Sequence, residues 1–530
     1  MSKKSLLLAV SVTAILAGSA LPAFAADSTK AEIDTMRRSM QAQIDYLKRQ
    51  VELLSNQQKD TQASTAATAA KVDATVAAVS KVVPPKGKKG FQIGAVTVTP
   101  GGFLAAEGVV REKTQGADIG EALNGAPFPN SSNDHLTEDR FTARQSRLSL
   151  LATADINPTT HVAGYYEMDF LGAAGTANSK ESNSYNLRIR NIYSTLDWDD
   201  WGLHLLAGQN WSLATMYTKG LTPRQENVPL TIDSQYVTGF NWLRVPGIRI
   251  VYDAIPNMLW AGLSVENAQL GGTTGTFSSA TGYQVVSSAT GGGGNFDTDT
   301  GGSTYSNDAA PDIIAKLAFE PGWGHYEVYG IARFFRDRAN FINQTTVGGG
   351  VGGGAILPVI PKMLDVQLSG LVGDGIGRYG SAQLPDVTFG TNGAIKPLTE
   401  YSLLAGVIGH PTPSLDIYAY GGLEHADRWY QNVKSGATVT QYGYGDPLAN
   451  NSGCFVEGGT CTANTNNAIE GTAGFWWKIY NGDFGSVRFG AQYAYIARNI
   501  YSGTNGGAGK SGGGTADNNM IFTSFRYYPF

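Results

Sequence analysis

The sequence predicts an all-β protein, a 16-stranded antiparallel transmembrane β-barrel with an N-terminal helical coiled-coil arm. Three observations predict it. An export leader opens the chain, and no later run of about 18 apolar residues could cross a bilayer as a helix. Charged residues make up only 16%, while Gly (67), Tyr (25) and Phe (21) are abundant, whereas soluble proteins average roughly 25% charge. From Phe91 onward the apolar residues recur with period two in short runs bounded by turn residues, as half-buried strands do.

The leader is read from Lys3 and Lys4, the apolar run from Leu6 to Leu16, and the small residues of Ala23-Phe24-Ala25. Residues 1–25 are therefore expected to be a signal peptide, with the mature chain starting at Ala26. Cleavage removes two lysines and no acid, so the mature protein is more acidic than the −5 of the whole chain. No cluster of basic residues suggests nucleic acid as a partner, because phosphate binding needs concentrated positive charge.

Residues 26–83 are expected to form a periplasmic coiled coil. From Ser28 to Val83 there is no Gly or Pro, and one heptad register places Ile44, Val51, Val72 and Val79 at a, with Ile33, Met40, Leu47, Leu54 and Val82 at d. Gln58, Thr61, Thr65, Thr68 and Thr75 occupy the middle layers and weaken the seam. The alternative is a solvated linker. A coiled coil cannot bury its stripe alone, so the arm implies a homo-oligomer. Pro84-Pro85-Lys86-Gly87-Lys88-Lys89-Gly90 then ends the helix as a linker over 84–90, and the barrel is expected over 91–530.

The clearest strands are Arg140–Asp155, His161–Leu171, Tyr185–Trp198, Leu203–Trp211, Ile313–Glu320, His325–Asp337, Leu364–Val372, Tyr401–His410, Leu415–Glu424, Ile469–Tyr480, Phe484–Asn499 and Met520–Phe530. Segments near Val96–Val110, Tyr236–Trp242, Ile248–Asp253, Met258–Asn267 and Val347–Ile356 raise the count to seventeen. Single-chain bacterial barrels have even numbers. Placing Gln269–Ala310 outside the cell requires Ile248–Asn267 to be one strand interrupted at Pro256, which gives sixteen. Tight connections such as Asn157-Pro158-Thr159 and Asn481-Gly482-Asp483 alternate with long Gly/Asn/Ser-rich ones, as periplasmic turns alternate with external loops. The chain ends in Tyr528-Pro529-Phe530, an ending that resembles the signal read by the outer-membrane insertion machinery, although Arg526 interrupts the apolar alternation.

The connection Ser212–Gln235 carries Lys219, Arg224, Glu226 and Asp233. In trimeric porins the third long loop folds inward, which makes this stretch the candidate pore constriction; the alternative is an ordinary external loop. On the wall, lipid-facing Leu148 and Leu150 leave Arg147 and Ser149 inward, and Arg144 is placed near the rim. Outward Tyr166, Met168 and Phe170 leave Glu167 and Asp169 inward, and outward Leu187 and Ile189 leave Arg188 and Arg190 inward. Opposite charges on adjacent strands make a transverse field that orders anions and zwitterions, unless the pairs only satisfy one another on a wet wall.

Cys454 and Cys461 are expected to form a local disulfide in the oxidising compartment that export supplies. No enzyme, cofactor or metal is expected. The six histidines are scattered singly, and there is no His-Glu-x-x-His, Gly-x-Ser-x-Gly or Walker-type loop. A Ser/His pair assembled across strands, as in an outer-membrane phospholipase, is the catalytic alternative left open by spacing. Gly349-Gly350-Val351-Gly352-Gly353-Gly354 falls inside an expected strand, where missing side chains permit close packing rather than phosphate binding.

Thr99-Pro100-Gly101-Gly102-Phe103, Ala143-Arg144-Gln145-Ser146-Arg147-Leu148-Ser149, Tyr166-Glu167-Met168-Asp169-Phe170, Gly208-Gln209-Asn210-Trp211 and Thr222-Pro223-Arg224-Gln225-Glu226-Asn227, in this order after the arm, resemble the DcaP-like trimeric porins of Gram-negative bacteria. The resemblance covers the arm and first half of the barrel best and is architectural after about residue 270. It implies a homotrimer in outer-membrane lipid, with the arm in the periplasm, and passive diffusion of small polar, often anionic solutes such as dicarboxylates. A structural or adhesive barrel with a wall-contacting coiled coil is the competing expectation. A phosphate channel would call for a lysine ladder and a sugar channel for an aromatic slide, and neither stands out.

Overall fold

In the computed structural model the chain divides into two units, Met1–Lys88 and Lys89–Phe530. The structure describes Arg38, Gln41, Asp45, Tyr46, Lys48, Arg49 and Glu52 of the first unit. Of the second it describes residues 90–530 apart from 116, 121–122, 173–185, 234–236, 272–307 and 506–509. The expected signal peptide and residues 84–89 of the linker lie outside the described residues.

The expected coiled-coil arm is corrected. Among the described residues there is no helix of seven residues or more, and the only helical elements of the second unit are 3-10 turns of three or four residues. The physical reason lies in the seam: its middle layers are Gln and Thr, which bury little apolar surface, and helices this weak are held by packing against a partner rather than by propensity.

The second unit is built on one antiparallel sheet of eighteen strands. Two of these are short segments, Phe91–Ile93 and Glu138–Thr142, and the other sixteen close the barrel. The first eight are β1 Val96–Arg111, β2 Arg147–Asn157, β3 Thr160–Gly172, β4 Asn186–Trp198, β5 Leu203–Trp211, β6 Arg244–Ile255, β7 Leu259–Glu266 and β8 Asp312–Phe319. The second eight are β9 His325–Ala339, β10 Ile342–Ile360, β11 Leu364–Asp374, β12 Thr399–Thr412, β13 Leu415–Ala426, β14 Thr465–Gly482, β15 Gly485–Ile500 and β16 Thr515–Tyr528. Closure is made by β1: its second half pairs with β16, Leu104 opposite Tyr527 and Arg111 opposite Met520, while its first half pairs with β2. Glu138–Thr142 continues β2 against the upper half of β1 after a break at 143–146. A closed sheet leaves no unpaired edge, which a hydrocarbon environment demands.

Sixteen is the expected number, but one step of the count is corrected. Ile248–Asn267 is not a single interrupted strand. It is β6 and β7, paired antiparallel through a tight turn in which Asn257 takes φ +59°. The surplus segment was Tyr236–Trp242: Tyr236 lies outside the described residues, and Val237–Trp242 is an irregular loop whose apolar residues pack inside the barrel. The short-then-long alternation also fails once, because β9 and β10 meet at the loop end through Asn340 (φ +51°) and Phe341 (φ +65°) alone, the two-residue turn that suits strand twist.

Alternation sorts the side chains. Along β8, residues 312–319 run buried, exposed, buried, exposed without a break. Leu148, Leu150, Ile248, Ile250, Leu263, Leu317, Leu368 and Leu403 are exposed on the outside. A continuous apolar wall of this kind is stable only against lipid. At the tight-turn end, exposed Trp201, Trp323, Trp477 and Phe484 form the aromatic girdle of such barrels. Arg526 does not break the pattern: Ile521 and Phe525 face out while Phe522, Ser524 and Arg526 are buried inside.

Candidate functional site: an in-folded loop facing an arginine wall

The connection between β5 and β6, residues 212–243, does not rise away from the barrel. Leu213, Ala214, Tyr217, Leu221, Ile232 and Phe240 are buried, and the loop crosses the lumen to the strands of the far wall. Four buried wall carboxylates hold it by its main chain. Glu266 accepts from Leu213 N at 2.8 Å, Glu327 from Tyr217 N at 2.9 Å, Glu470 from Thr238 N at 2.7 Å and Glu424 from Gly239 N at 2.8 Å. Hydrogen bonds to an ionised acceptor are roughly twice as strong as neutral ones. Further along, Ile232 N donates to Gln492 at 2.6 Å, Leu230 N to Tyr420 at 3.1 Å, and Arg526 Nη2 donates to Ile232 O at 2.9 Å. Glycine makes the fit possible: a Cβ at Gly422 on β13 would overlap the Thr238 carbonyl, and one at Gly354 on β10 would overlap Met216 Sδ.

The connection 375–398 folds in as well. Trp242 N donates to Tyr379 O at 2.9 Å and Trp242 Nε1 to Ser381 Oγ at 3.0 Å, while Glu400 accepts from Ile376 N and Gly377 N at 2.7 and 2.6 Å. Loop supports loop.

The inner face of β2 to β6 is rich in arginine. Arg188 grips Asp169 with both Nε (3.0 Å) and Nη2 (2.7 Å). Arg190 reaches Glu167 at 2.7 Å and Asp169 at 2.9 Å, and Arg147 lies 3.8 Å from Glu167. Three guanidiniums thus meet two carboxylates. A bulge in the β3–β4 register, where Glu167 faces Asn191 and Met168 faces Ile189, lets Arg190 and Asn191 both turn inward. Arg244, at the start of β6, adds a further cation against the Trp211 and Trp242 rings at 5.2 and 5.3 Å.

All the sequence-predicted wall residues therefore meet in one network. Of the loop residues, Arg224 donates to Tyr193 Oη at 3.1 Å and stacks over Tyr165 at 5.6 Å, in a left-handed conformation (φ +67°). Glu226 is partly buried, its Oε1 has no hydrogen-bond partner among the described residues, and burial pushes its carboxyl above the usual range. Asp233 is buried in the loop, and Lys219 is exposed towards the tight-turn end. Arg144 sits at the strand break rather than on the lipid face, bonded to Asp118 at 3.0 Å and Phe170 O at 3.2 Å, because the break resets the parity. Cys454 and Cys461 are disulfide-bonded. Their loop locks onto the first long one, with Asn130 N donating to Cys454 O at 3.1 Å and Gly458 N to Asn130 O at 3.0 Å.

Sequence reading missed Arg244, Arg249, Arg526 and the carboxylate pins. Arg249 was within reach of the parity test, since Ile248, Ile250 and Tyr252 face out. Arg244 was not, because the strand start was set four residues too late. Among the described residues no group of three or more His, Cys, Asp or Glu side chains could hold a metal ion.

No family model and no curated protein matches the chain. Solved structures do. The outer membrane channel DcaP of Acinetobacter baumannii aligns over 83% of this chain and 99% of its own, with a TM-score of 0.57 and 16% identity. An anion-selective porin from Comamonas acidovorans aligns over 82% and 99%, with 0.43 and 10%, and OprB of Pseudomonas putida over 81% and 94%, with 0.44 and 9%. At such identities the likeness concerns fold, and the first of these matches is to a DcaP-like porin barrel. The chain has the closed 16-stranded barrel of an outer-membrane porin.

Proposed function

We propose that the protein is a porin that lets small polar solutes diffuse across the outer membrane through a water-filled lumen and favours anions, dicarboxylates among them. The loop 212–243 and the arginine wall form its constriction. One observation carries this reading: the loop is pinned across the barrel by its main chain, while Arg147, Arg188, Arg190 and Arg244 gather around Glu167 and Asp169 on β2 to β6. Fixed charge of one sign at a narrow point raises the local concentration of the opposite ion. In this reading the long loops face the exterior and the tight turns the periplasm, and three copies assemble, as in the DcaP-like porins that the sequence resembles. No observation favours a closed structural barrel with a wall-contacting coiled coil, since no helix of seven residues or more stands among the described residues.

Planar-bilayer recording of the purified protein tests the function. A KCl gradient should give a reversal potential set by chloride, and Arg190→Gln with Arg244→Gln should move it towards potassium. A barrel that carries no current, or one whose anion preference these substitutions leave unchanged, ends the proposal. Light scattering of the detergent complex tests the trimer.

A further inference from the structure

Beneath the in-folded loop, between it and the tight-turn ends of β3 to β7, lies a recess of about 390 Å³, within the range of small-ligand sites. Its two sides carry opposite charge. Lys219 and Arg224 of the loop and Arg249 of β6 supply the cations. Asp197, Asp199 and Asp253 of the wall supply the anions. His204 lies 2.8 Å from Asp197 and 3.5 Å from Asp253, and His161 lies 2.7 Å from Asp155 and 3.1 Å from Asp199. Four carboxylates thus face two imidazoles, and this side stays negative even when both rings are protonated.

Two residues of this lining, one of each charge, stand on the same strand. Arg249 is 4% exposed and uses its two Nη groups on the Tyr217 hydroxyl and the Trp211 carbonyl, but its Nε has no hydrogen-bond partner among the described residues. Asp253 Oδ1 has none either. The two residues share the inward face of β6, four apart, so their Cα atoms stand roughly 13 Å from each other at 3.4 Å per residue.

Resting on the porin reading above, we propose that this recess is a transient binding compartment for zwitterionic solutes whose carboxylate and ammonium lie several ångströms apart, short peptides above all. The carboxylate lies against Arg249, Arg224 and Lys219, and the ammonium against Asp253 and its neighbours. A solute with one charge can satisfy only one side. The recess therefore adds to the anion preference of the arginine wall a second selection, for the partner charge at the other end of the molecule.

The experiment is current blockade in planar bilayers by three probes: triglycine, N-acetyltriglycine, which lacks the ammonium, and triglycinamide, which lacks the carboxylate. Triglycine should reside roughly fivefold longer than either, the factor given by one further ion pair of about 1 kcal/mol. Asp253→Asn should lower the ratio of triglycine to N-acetyltriglycine residence, and Lys219→Gln should lower the ratio of triglycine to triglycinamide. Equal residence of the three probes in the unmodified protein overturns the proposal and leaves the porin reading standing, and so does a pair of variants that keep both ratios. Absence of any KCl current overturns the porin reading, and this proposal with it.

Discussion

Arg526, on the last strand, is the side chain whose loss should disturb both stability and conduction. Its Nε and Nη2 donate to Glu107 Oε1 at 3.0 and 2.6 Å, and Nη2 also reaches Gln145 Oε1 at 3.1 Å and the loop carbonyl of Ile232 at 2.9 Å. Glu107 is 2% exposed and its Oε2 has no hydrogen-bond partner among the described residues. Arg526→Ala strands that carboxylate in the seam between β1 and β16, and breaking a buried pair in this way costs about 3–5 kcal/mol. Urea unfolding in lipid vesicles reads this loss directly. Arg526→Met with Glu107→Gln removes both charges and should regain most of it, because no charge is then left buried without its partner. Both forms lose the bond to Ile232, so both should show noisier single-channel current. A single Arg526→Ala variant within about 1 kcal/mol of the parent, or a double variant no better than the single, would refute the reasoning.

Three other substitutions probe other parts of the fold. Burial raises the Glu226 carboxyl, so its protonated form suits the folded loop: that contribution to stability is complete at low pH and lost as pH rises through the raised value. Anion preference measured by reversal potential should increase as pH falls, and Glu226→Gln should abolish that part of the dependence. Gly422→Ala places a methyl group into the Thr238 carbonyl, and this overpacking should cost about 1–3 kcal/mol and change the conductance as the loop leaves the wall; unchanged conductance and melting would contradict the packing described. Replacing Cys454 and Cys461 by Ala opens a short loop closure worth about 2.5 kcal/mol, which should quicken proteinase K cleavage around 445–464 while the barrel fragment survives.

Strand positions were legible because lipid imposes a strict rule. Every outward residue in the hydrocarbon must be apolar, so β8 and β9 declare themselves by alternation alone. Val237–Trp242 was misread for a related reason: Val237, Phe240 and Trp242 are apolar because they pack on Trp211 and the lumen wall, and burial of either origin leaves the same trace in sequence. Pro256 looked like an interruption of one strand because nothing local distinguishes a bent strand from a tight turn. The wall pairs around Glu167 and Arg190 followed from parity, yet the bulge that turns Asn191 inward depends on the neighbouring strand's register. The heptads of the N-terminal segment show the opposite failure, in which a period is present but no helix of seven residues or more stands among the described residues.

Glu266, Glu327, Glu424 and Glu470 grasp peptide N–H groups and ignore what those residues carry outward. Such an anchor is indifferent to side-chain identity along most of the strap that it secures. If the proposed constriction is right, exchanging Lys219, Arg224 or Glu226 for other residues should retune which solutes pass without unfastening the strap, so that discrimination and architecture can drift independently over evolutionary time.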